Sequence, residues 1–375
     1  MKIRVGRAVG LAAVSALLVA AGAGLGAGSA MAQPASGSPP PPPGFEADSA
    51  SFVSATTGYV LGARGCSLLP CKALIEKTTN GGKTWAKVPA PAVDLVPTFT
   101  QTPKTAVNSV VFENANDGWL YGPGLWATTD GGAKWHQVSL PGDVIAMAAA
   151  DGEVYASVQP STGGLLAARL YESAVGSTKW SAVAKVAPVS ALTVSGHSVW
   201  AGWAPNLWTS TNSGKTWTKL SFKCPAPDLT PSAVAAASPA DVALACSDQG
   251  FPQPGLSDKE VFASGNGGKS FHEVTGTPPL AGQVVQLAMP TGKPQDITMT
   301  AASGASYFYE SVNGGKTWRT ITYHDAGVDF RDLAYVNGTT GFVIHFSGAI
   351  PDLAYGLGLM KTTNDGGTWT KVTMK

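Results

Sequence analysis

Thr78-Thr-Asn-Gly-Gly-Lys-Thr-Trp85 decides the fold, because it recurs along the chain. Further copies read Thr128-Thr-Asp-Gly-Gly-Ala-Lys-Trp135, Ser210-Thr-Asn-Ser-Gly-Lys-Thr-Trp217, Ser311-Val-Asn-Gly-Gly-Lys-Thr-Trp318 and Thr362-Thr-Asn-Asp-Gly-Gly-Thr-Trp369. A Phe-ended copy spans Ser264 to Phe271, and a decayed one spans Ser173 to Trp180, which brings the number to seven, with terminal residues 37 to 54 apart. An apolar and then a large residue precede each copy, as in Leu125-Trp126, Leu207-Trp208 and Phe308-Tyr309, and alternation resumes after it, as in Lys371-Val372. That is strand, tight turn, strand. The Ser/Thr hydroxyl and the Asn/Asp side chain are the groups that bond turn amides, the glycines accept positive φ, and the Trp covers the apolar side of the hairpin. Two more short strands lie upstream of each hairpin, for example 107–112 with 118–121, and 330–336 with 341–345. Four strands per unit, seven times over, predict an all-β chain: a seven-bladed β-propeller with four-stranded antiparallel blades.

The pattern Ser/Thr-x-Asp/Asn-x-Gly-x-Thr-Trp resembles the Asp box, or bacterial neuraminidase repeat. Seven such units are similar to the photosystem II assembly and stability factor family and, more widely, to sialidase-like propellers, and the likeness covers residues 45–375. It implies the fold more than a function, since Asp boxes occur in sialidases, xyloglucanases, sortilin-type receptors and assembly factors. Only Asp130 keeps the acid; Asn80, Asn212, Asn266, Asn313 and Asn364 replace it, and Val175 drops it. Asn suffices for a turn and is a poor cation ligand, so the boxes, with Trp85, Trp135, Trp180, Trp217, Phe271, Trp318 and Trp369, are read as structural.

Residues before the propeller read as export and spacing. Lys2, Arg4 and Arg7 precede an apolar run from Ala8 to Leu25 and then Ala30-Met31-Ala32, the layout of a secretory signal peptide over 1–32. The competing reading is a retained membrane anchor, because the run reaches about 20 residues. Residues 33–44, with five consecutive prolines from Pro39 to Pro43, read as a stiff Pro-rich linker. A secreted, periplasmic or extracellular location follows, with no membrane span after cleavage. Four cysteines in an exported chain suggest two disulfides, Cys66 with Cys71 and Cys224 with Cys246. No His or further Cys stands at ligand spacing beside them, so neither a metal nor a cofactor is expected.

Of 375 residues only 13% are charged, with 25 Lys plus Arg against 24 Asp plus Glu. No field of one sign steers such a chain to nucleic acid. Its partner is expected to be another exported protein or cell-envelope component, with carbohydrate as the alternative, and the chain itself a monomer.

Box turns join third to fourth strands on one face of a propeller, so site residues are expected on the opposite, upper face. Long second-to-third loops are expected at 62–72, 157–168, 247–260 and 346–358. The longest link between blades is 89–106. Tyr323, His324 and Asp325, followed by Asp329, Arg331 and Asp332, form the densest run of reactive side chains, at the hand-over from blade 6 to blade 7. The run either supplies an acid, a base and a cation at the channel mouth or is a solvated connection with an Arg–carboxylate pair. Trp203, placed in the upper loop of blade 4, and Phe251 and Asp258 of the 247–260 loop are the candidate binding residues.

A sialidase needs three convergent arginines to hold a carboxylated sugar. After residue 32 only Arg64, Arg169, Arg319 and Arg331 remain, and Arg319 follows a box Trp on an outer strand. A xyloglucanase-type glycosidase resembles two propellers facing across a cleft, more chain than is present. The reading is therefore a secreted, non-catalytic binding or assembly scaffold for another exported protein, acting through its upper-face loops. The alternative is a carbohydrate-binding protein or glycoside hydrolase using the same face.

Overall fold

The computed structural model describes residues 44–374 apart from 66–70, 97–103, 163, 165, 166, 190, 204, 205, 227, 228, 249–255, 303, 304, 325–327 and 348–357. Seven four-stranded antiparallel sheets follow one another along the chain, each ordered as its strands occur in sequence. Blade 1 consists of Phe45–Phe52, Gly58–Arg64, Leu74–Thr78 and Ala86–Val88, and blade 7 of Val328–Tyr335, Gly341–Ser347, Gly358–Thr362 and Thr370–Val372. The first strands of the seven blades touch in cyclic order, the last against the first, so they are innermost and the ring is closed. Cys71–Lys72 pairs with Asp94–Leu95 in a small separate sheet beside blade 1. Among the described residues there is no helix long and apolar enough to cross a membrane.

Each repeated turn is clamped by the same bonds. Thr78 Oγ1 accepts from the Gly82 amide at 2.9 Å, and Asn80 Oδ1 accepts from the Thr84 amide at 2.9 Å. The pair recurs from Thr128 and Asp130 to Gly132 and Lys134, and in the copies headed by Ser210, Ser264, Ser311 and Thr362. In the decayed third copy the Ser173 hydroxyl only donates to the neighbouring Ala174 carbonyl. Accepting an amide holds the exposed Asp130 carboxyl below its usual range, the Lys134 N–H being the largest cause.

The turn also docks the blade on its predecessor. Gly132 has φ +89°, and a Cβ there would stand 2.5 Å from Val88 Cγ1 of blade 1. Gly82 meets Val372 of blade 7 in the same way, at 2.7 Å. Only glycine allows both the left-handed backbone and this approach. The turn's aromatic follows: the Trp135 indole N–H donates to the Pro89 carbonyl, and that of Trp318 to Gly276, each on the preceding blade.

Among the described residues, no strand from one terminus completes the other terminus's blade. The closing seam instead repeats the ordinary one. Between blades 1 and 2, Tyr59 stacks on Phe112 at 3.5 Å with Trp135 edge-on at 6.2 Å, and Lys77 lies over the Tyr59 ring. Between blades 7 and 1, Phe342 stacks on Phe52 at 3.4 Å with Trp85 edge-on at 6.4 Å, and Lys361 lies over the Phe342 ring. The Lys361 ammonium also donates to the Gly81 carbonyl at 3.1 Å. Cys224 and Cys246 form a disulfide that ties the approach to blade 5 to its second strand. Cys71 is also disulfide-bonded; Cys66, its expected partner, lies outside the described residues.

Thr128→Val, which leaves the Gly132 amide without its acceptor in a buried turn, is expected to cost about 1–3 kcal/mol in denaturant unfolding. Ser173→Ala is expected to cost about 0.5 kcal/mol, the low end for a lost hydrogen bond. At the seam, Phe342→Ala is expected to cost about 3–5 kcal/mol, the range for a buried ring; a loss under about 1 kcal/mol would mean the ring does not depend on this contact.

Candidate functional site

The innermost strands carry irregularities at matching places. Register shifts fall at Asp48 in blade 1, Ile145 in blade 3, Ser232 in blade 5, Val285 in blade 6 and Asp332–Leu333 in blade 7. A bulge re-aims its side chain out of the ladder. Asp332 sits there at φ +52°, and its Oδ2 accepts from the Ala50 amide of blade 1 at 2.8 Å. Arg331 Nη1 stands 3.5 Å from Asp48 Oδ1, and the Leu333 amide donates to Gln286 Oε1 of blade 6.

Asp48 is 7% exposed, and its Oδ2 has no hydrogen-bond partner. Burial pushes its carboxyl up to about 7; the Asp332 charge adds to the rise and the Arg331 guanidinium opposes it. Burial and the same Asp332 charge raise the Tyr121 phenol of blade 2, which Ser109 and the Met147 backbone stabilise in the opposite sense. The group can hold a proton near neutral pH. It also spans the first and last blades, 282 residues apart at the Ala50–Asp332 bond.

Two of the six residues expected to carry chemistry, Arg331 and Asp332, therefore meet in one cluster. Arg331 and Asp332 lie in the inner strand expected at 330–336, while Tyr323, His324 and Asp329 are corrected from connection to strand. Tyr323 and His324 end the outer strand Arg319–His324, while Asp329, Arg331 and Asp332 belong to the inner strand Val328–Tyr335, and Asp325 lies outside the described residues. Strand pairing runs further than turn chemistry suggests, since Tyr307 pairs with Tyr323 and Val328 with Ser347. Trp203 is likewise corrected from loop to strand: it is the last residue of Ser198–Trp203 and pairs with Asn206. Ser157, placed at the start of a loop, is buried inside Glu153–Gln159. Phe251 lies outside the described residues, and Asp258 is exposed. Asp48 and Tyr121 are cluster residues that the sequence left unmarked. Nothing near either in the chain signals a site, because the charges beside them, Arg331 and Asp332, are supplied by blade 7.

On the face opposite the repeated turns, three grooves open at equivalent places, between the start of a third strand and the end of a fourth. The blade 1 groove, about 390 Å³, runs between Leu74–Glu76 and the wall 87–93, with Arg64 and Lys72 at its rim. Arg64 is ion-paired with the buried Glu76, and Lys72 with Asp94 at 2.5 Å. The blade 2 groove, about 320 Å³, lies beside Leu125 and Val138, with Lys104 bound to Asp143. The blade 5 groove, about 210 Å³, is lined by Leu229, Val261, Pro278 and Leu280 with Asp258, Lys259 and Glu273. Lys259 is 2% exposed, and its ammonium donates to the carbonyls of Ser257 at 2.9 Å and Pro279 at 2.7 Å. Burial lowers its pKa to about 8, against the opposing pull of Asp258 and Asp248. Among the described residues no group of three or more His, Cys, Asp or Glu is placed to hold a metal ion.

This architecture defines a seven-bladed β-propeller, and comparison with solved structures gives the same class. A YCF48 bound to a D1 peptide superposes with a TM-score of 0.53 at 18% identity, covering 86% of this chain and 94% of that one. YCF48 from Cyanidioschyzon merolae superposes at 0.55 and 16% identity, covering 88% and 98%. An ancestral GH74 enzyme superposes at 0.54 and 13% identity; 88% of this chain is covered, but it spans only 46% of that enzyme. At these identities the likeness is one of fold. No family model matches the chain, and no curated protein matches it.

The raised Asp48 carboxyl sets a pH dependence. The folded chain holds a proton that the unfolded chain, near the ordinary value of 3.8, releases. Its stabilising effect is therefore full below about pH 4 and is lost as pH rises through about 7. Denaturant unfolding at pH 5.5 and pH 8 is expected to show the wild type weaker at pH 8, on the order of a few kcal/mol at most. Asp48→Asn is expected to reduce that difference; an unchanged one would place the titrating group elsewhere.

Proposed function

We propose that this chain is an exported, non-catalytic propeller that binds a segment of another exported protein or cell-envelope component on its upper face. One observation carries the reading: the three grooves open on the same face, at the same place in three blades, each with an apolar wall and a charged rim. Repetition of a shaped, half-apolar surface suits an extended ligand lying across blades. The polar cluster of Asp48, Arg331 and Asp332 is engaged in joining blades 7 and 1, which favours a rigid scaffold over a catalytic centre.

Several features support the reading from outside the site. The repeated turns resemble Asp boxes, a structural repeat found in receptors and assembly factors as well as in sialidases and xyloglucanases. The leader-like residues 1–32 and the Cys224–Cys246 bond fit an oxidising, extracytoplasmic location. YCF48, similar in fold, has been solved with a D1 peptide bound. The second reading is carbohydrate binding or hydrolysis on the same face, favoured by the GH74 likeness alone, where this chain spans less than half of the enzyme.

Photo-crosslinking separates the two. A benzophenone amino acid at Lys72, Ser161 or Leu280, on the upper face, is expected to give discrete protein adducts in the producing cell. The same probe at Lys83 or Lys269, in repeated turns, is expected to give none. Equal labelling from both faces would overturn the reading, as would release of sugar from a panel of fluorogenic glycosides by the purified protein.

A further inference from the structure

Four large hydrophobic side chains stand in solvent among the described residues: Leu256 and Leu280 at 46% exposure, Val285 at 41% and Val312 at 57%. Val312 lies in the repeated turn of blade 6, on the lower face. The other three gather around the passage from blade 5 to blade 6: Leu280 lies in it, Leu256 in the adjoining second-to-third loop of blade 5 and Val285 in the first strand of blade 6. Leu256 bridges to Ala281, the Ser257 amide donates to the Leu280 carbonyl, and Val285 is the bulged residue of the inner strand into which that passage leads. Leu280 is also a wall of the blade 5 groove.

The charges beside this apolar strip are one-sided. Among the described residues lining the groove, Lys259 is the only cation, and its ammonium is turned inward onto the Ser257, Pro279 and Ala281 carbonyls. Those three bonds hold the Leu256 loop and the Leu280 passage together. Asp258 and Glu273 are exposed at the rim, with no ion pair to either carboxylate among the described residues. Blade 1 differs: Arg64 and Lys72 are each paired with a carboxylate of the chain itself, and Lys87 adds a further cation to its lining.

We infer that the blade 5 groove and the Leu256–Leu280 strip form a docking site for an extended protein segment that places an Arg or Lys next to an apolar residue. The groove, at about 210 Å³, has room for one long side chain. An Arg or Lys stem lies against Leu229, Val261 and Pro278 while its head reaches Asp258 and Glu273, which matches an amphipathic side chain to an apolar floor with an acidic rim. The adjoining apolar side chain covers Leu256 and Leu280, the kind of exposed patch that marks an interaction site. Acidic segments are excluded by the same two carboxylates. This inference deepens the proposed function and rests on it for the nature of the partner.

The test uses the full chain and two fluorescein-labelled decapeptides, one alternating Leu with Arg and one alternating Leu with Glu, read by fluorescence anisotropy. The Leu–Arg peptide is expected to bind and the Leu–Glu peptide not. Asp258→Asn with Glu273→Gln is expected to weaken Leu–Arg binding about tenfold or more, as loss of charge-assisted bonds implies, with an unchanged melting temperature. Leu280→Ser, which keeps both carboxylates, is expected to weaken it several-fold, and Lys83→Ala, in a repeated turn, not at all. Unchanged affinity in the double variant, or equal binding of the two peptides, overturns the site. Crosslinked adducts confined to Lys72 and Ser161 would also overturn it while leaving the binding role standing.

Discussion

The ring depends on one bond made repeatedly: a Ser or Thr hydroxyl at the head of each turn accepting the amide of a glycine four residues on, as Thr128 does from Gly132. The bond closes the outer hairpin of its own blade. It also fixes the glycine in a left-handed conformation whose bare Cα faces the preceding blade, against Val or Leu in four copies and against Glu172 or Glu310 at Gly214 and Gly366, so that closing a turn and docking a blade are one event. Six copies keep this bond. The third replaces it with a local hydroxyl-to-carbonyl contact, and blade 3 still forms, because neighbours on both sides hold it.

Closure follows from the same contact rather than from a strand exchanged between termini. Phe52, Phe342, Trp85 and Lys361 reproduce at the last seam what Phe112, Tyr59, Trp135 and Lys77 do at the first. What is added at the closing seam is charge. Asp48, Arg331 and Asp332 come together where the two ends of the domain meet, and the cost of burying Asp48 appears as its raised affinity for a proton.

The upper face is where a binding role has physical room. Its grooves share one origin, the gap left where a third strand begins and a fourth ends, and they differ in how their charges are used. In blade 1 two of the three lining cations, Arg64 and Lys72, are paired within the chain; in blade 5 the cation is turned inward and Asp258 and Glu273 face out. A common scaffold thus carries unlike surfaces, and the residues that make them unlike lie in connections rather than strands.

The hairpins, the number of blades and the structural role of the repeats were legible in the chain itself, because each hairpin is local: eight residues hold both the turn donors and their acceptors. Trp203, Ser157, Tyr323, His324 and Asp329 were placed in connections where the structure has strand, since strand ends are set by a partner strand and not by turn residues. The cluster of Asp48, Arg331, Asp332 and Tyr121 was half legible, through Arg331 and Asp332 alone. Sequence by itself determined a seven-fold repeat and hence a propeller. Only the tertiary structure decided that residues 282 apart, Ala50 and Asp332, bond beside the buried Asp48 carboxyl, and which groove carries unpaired carboxylates at its rim, because both depend on contacts that exist only once the ring has closed.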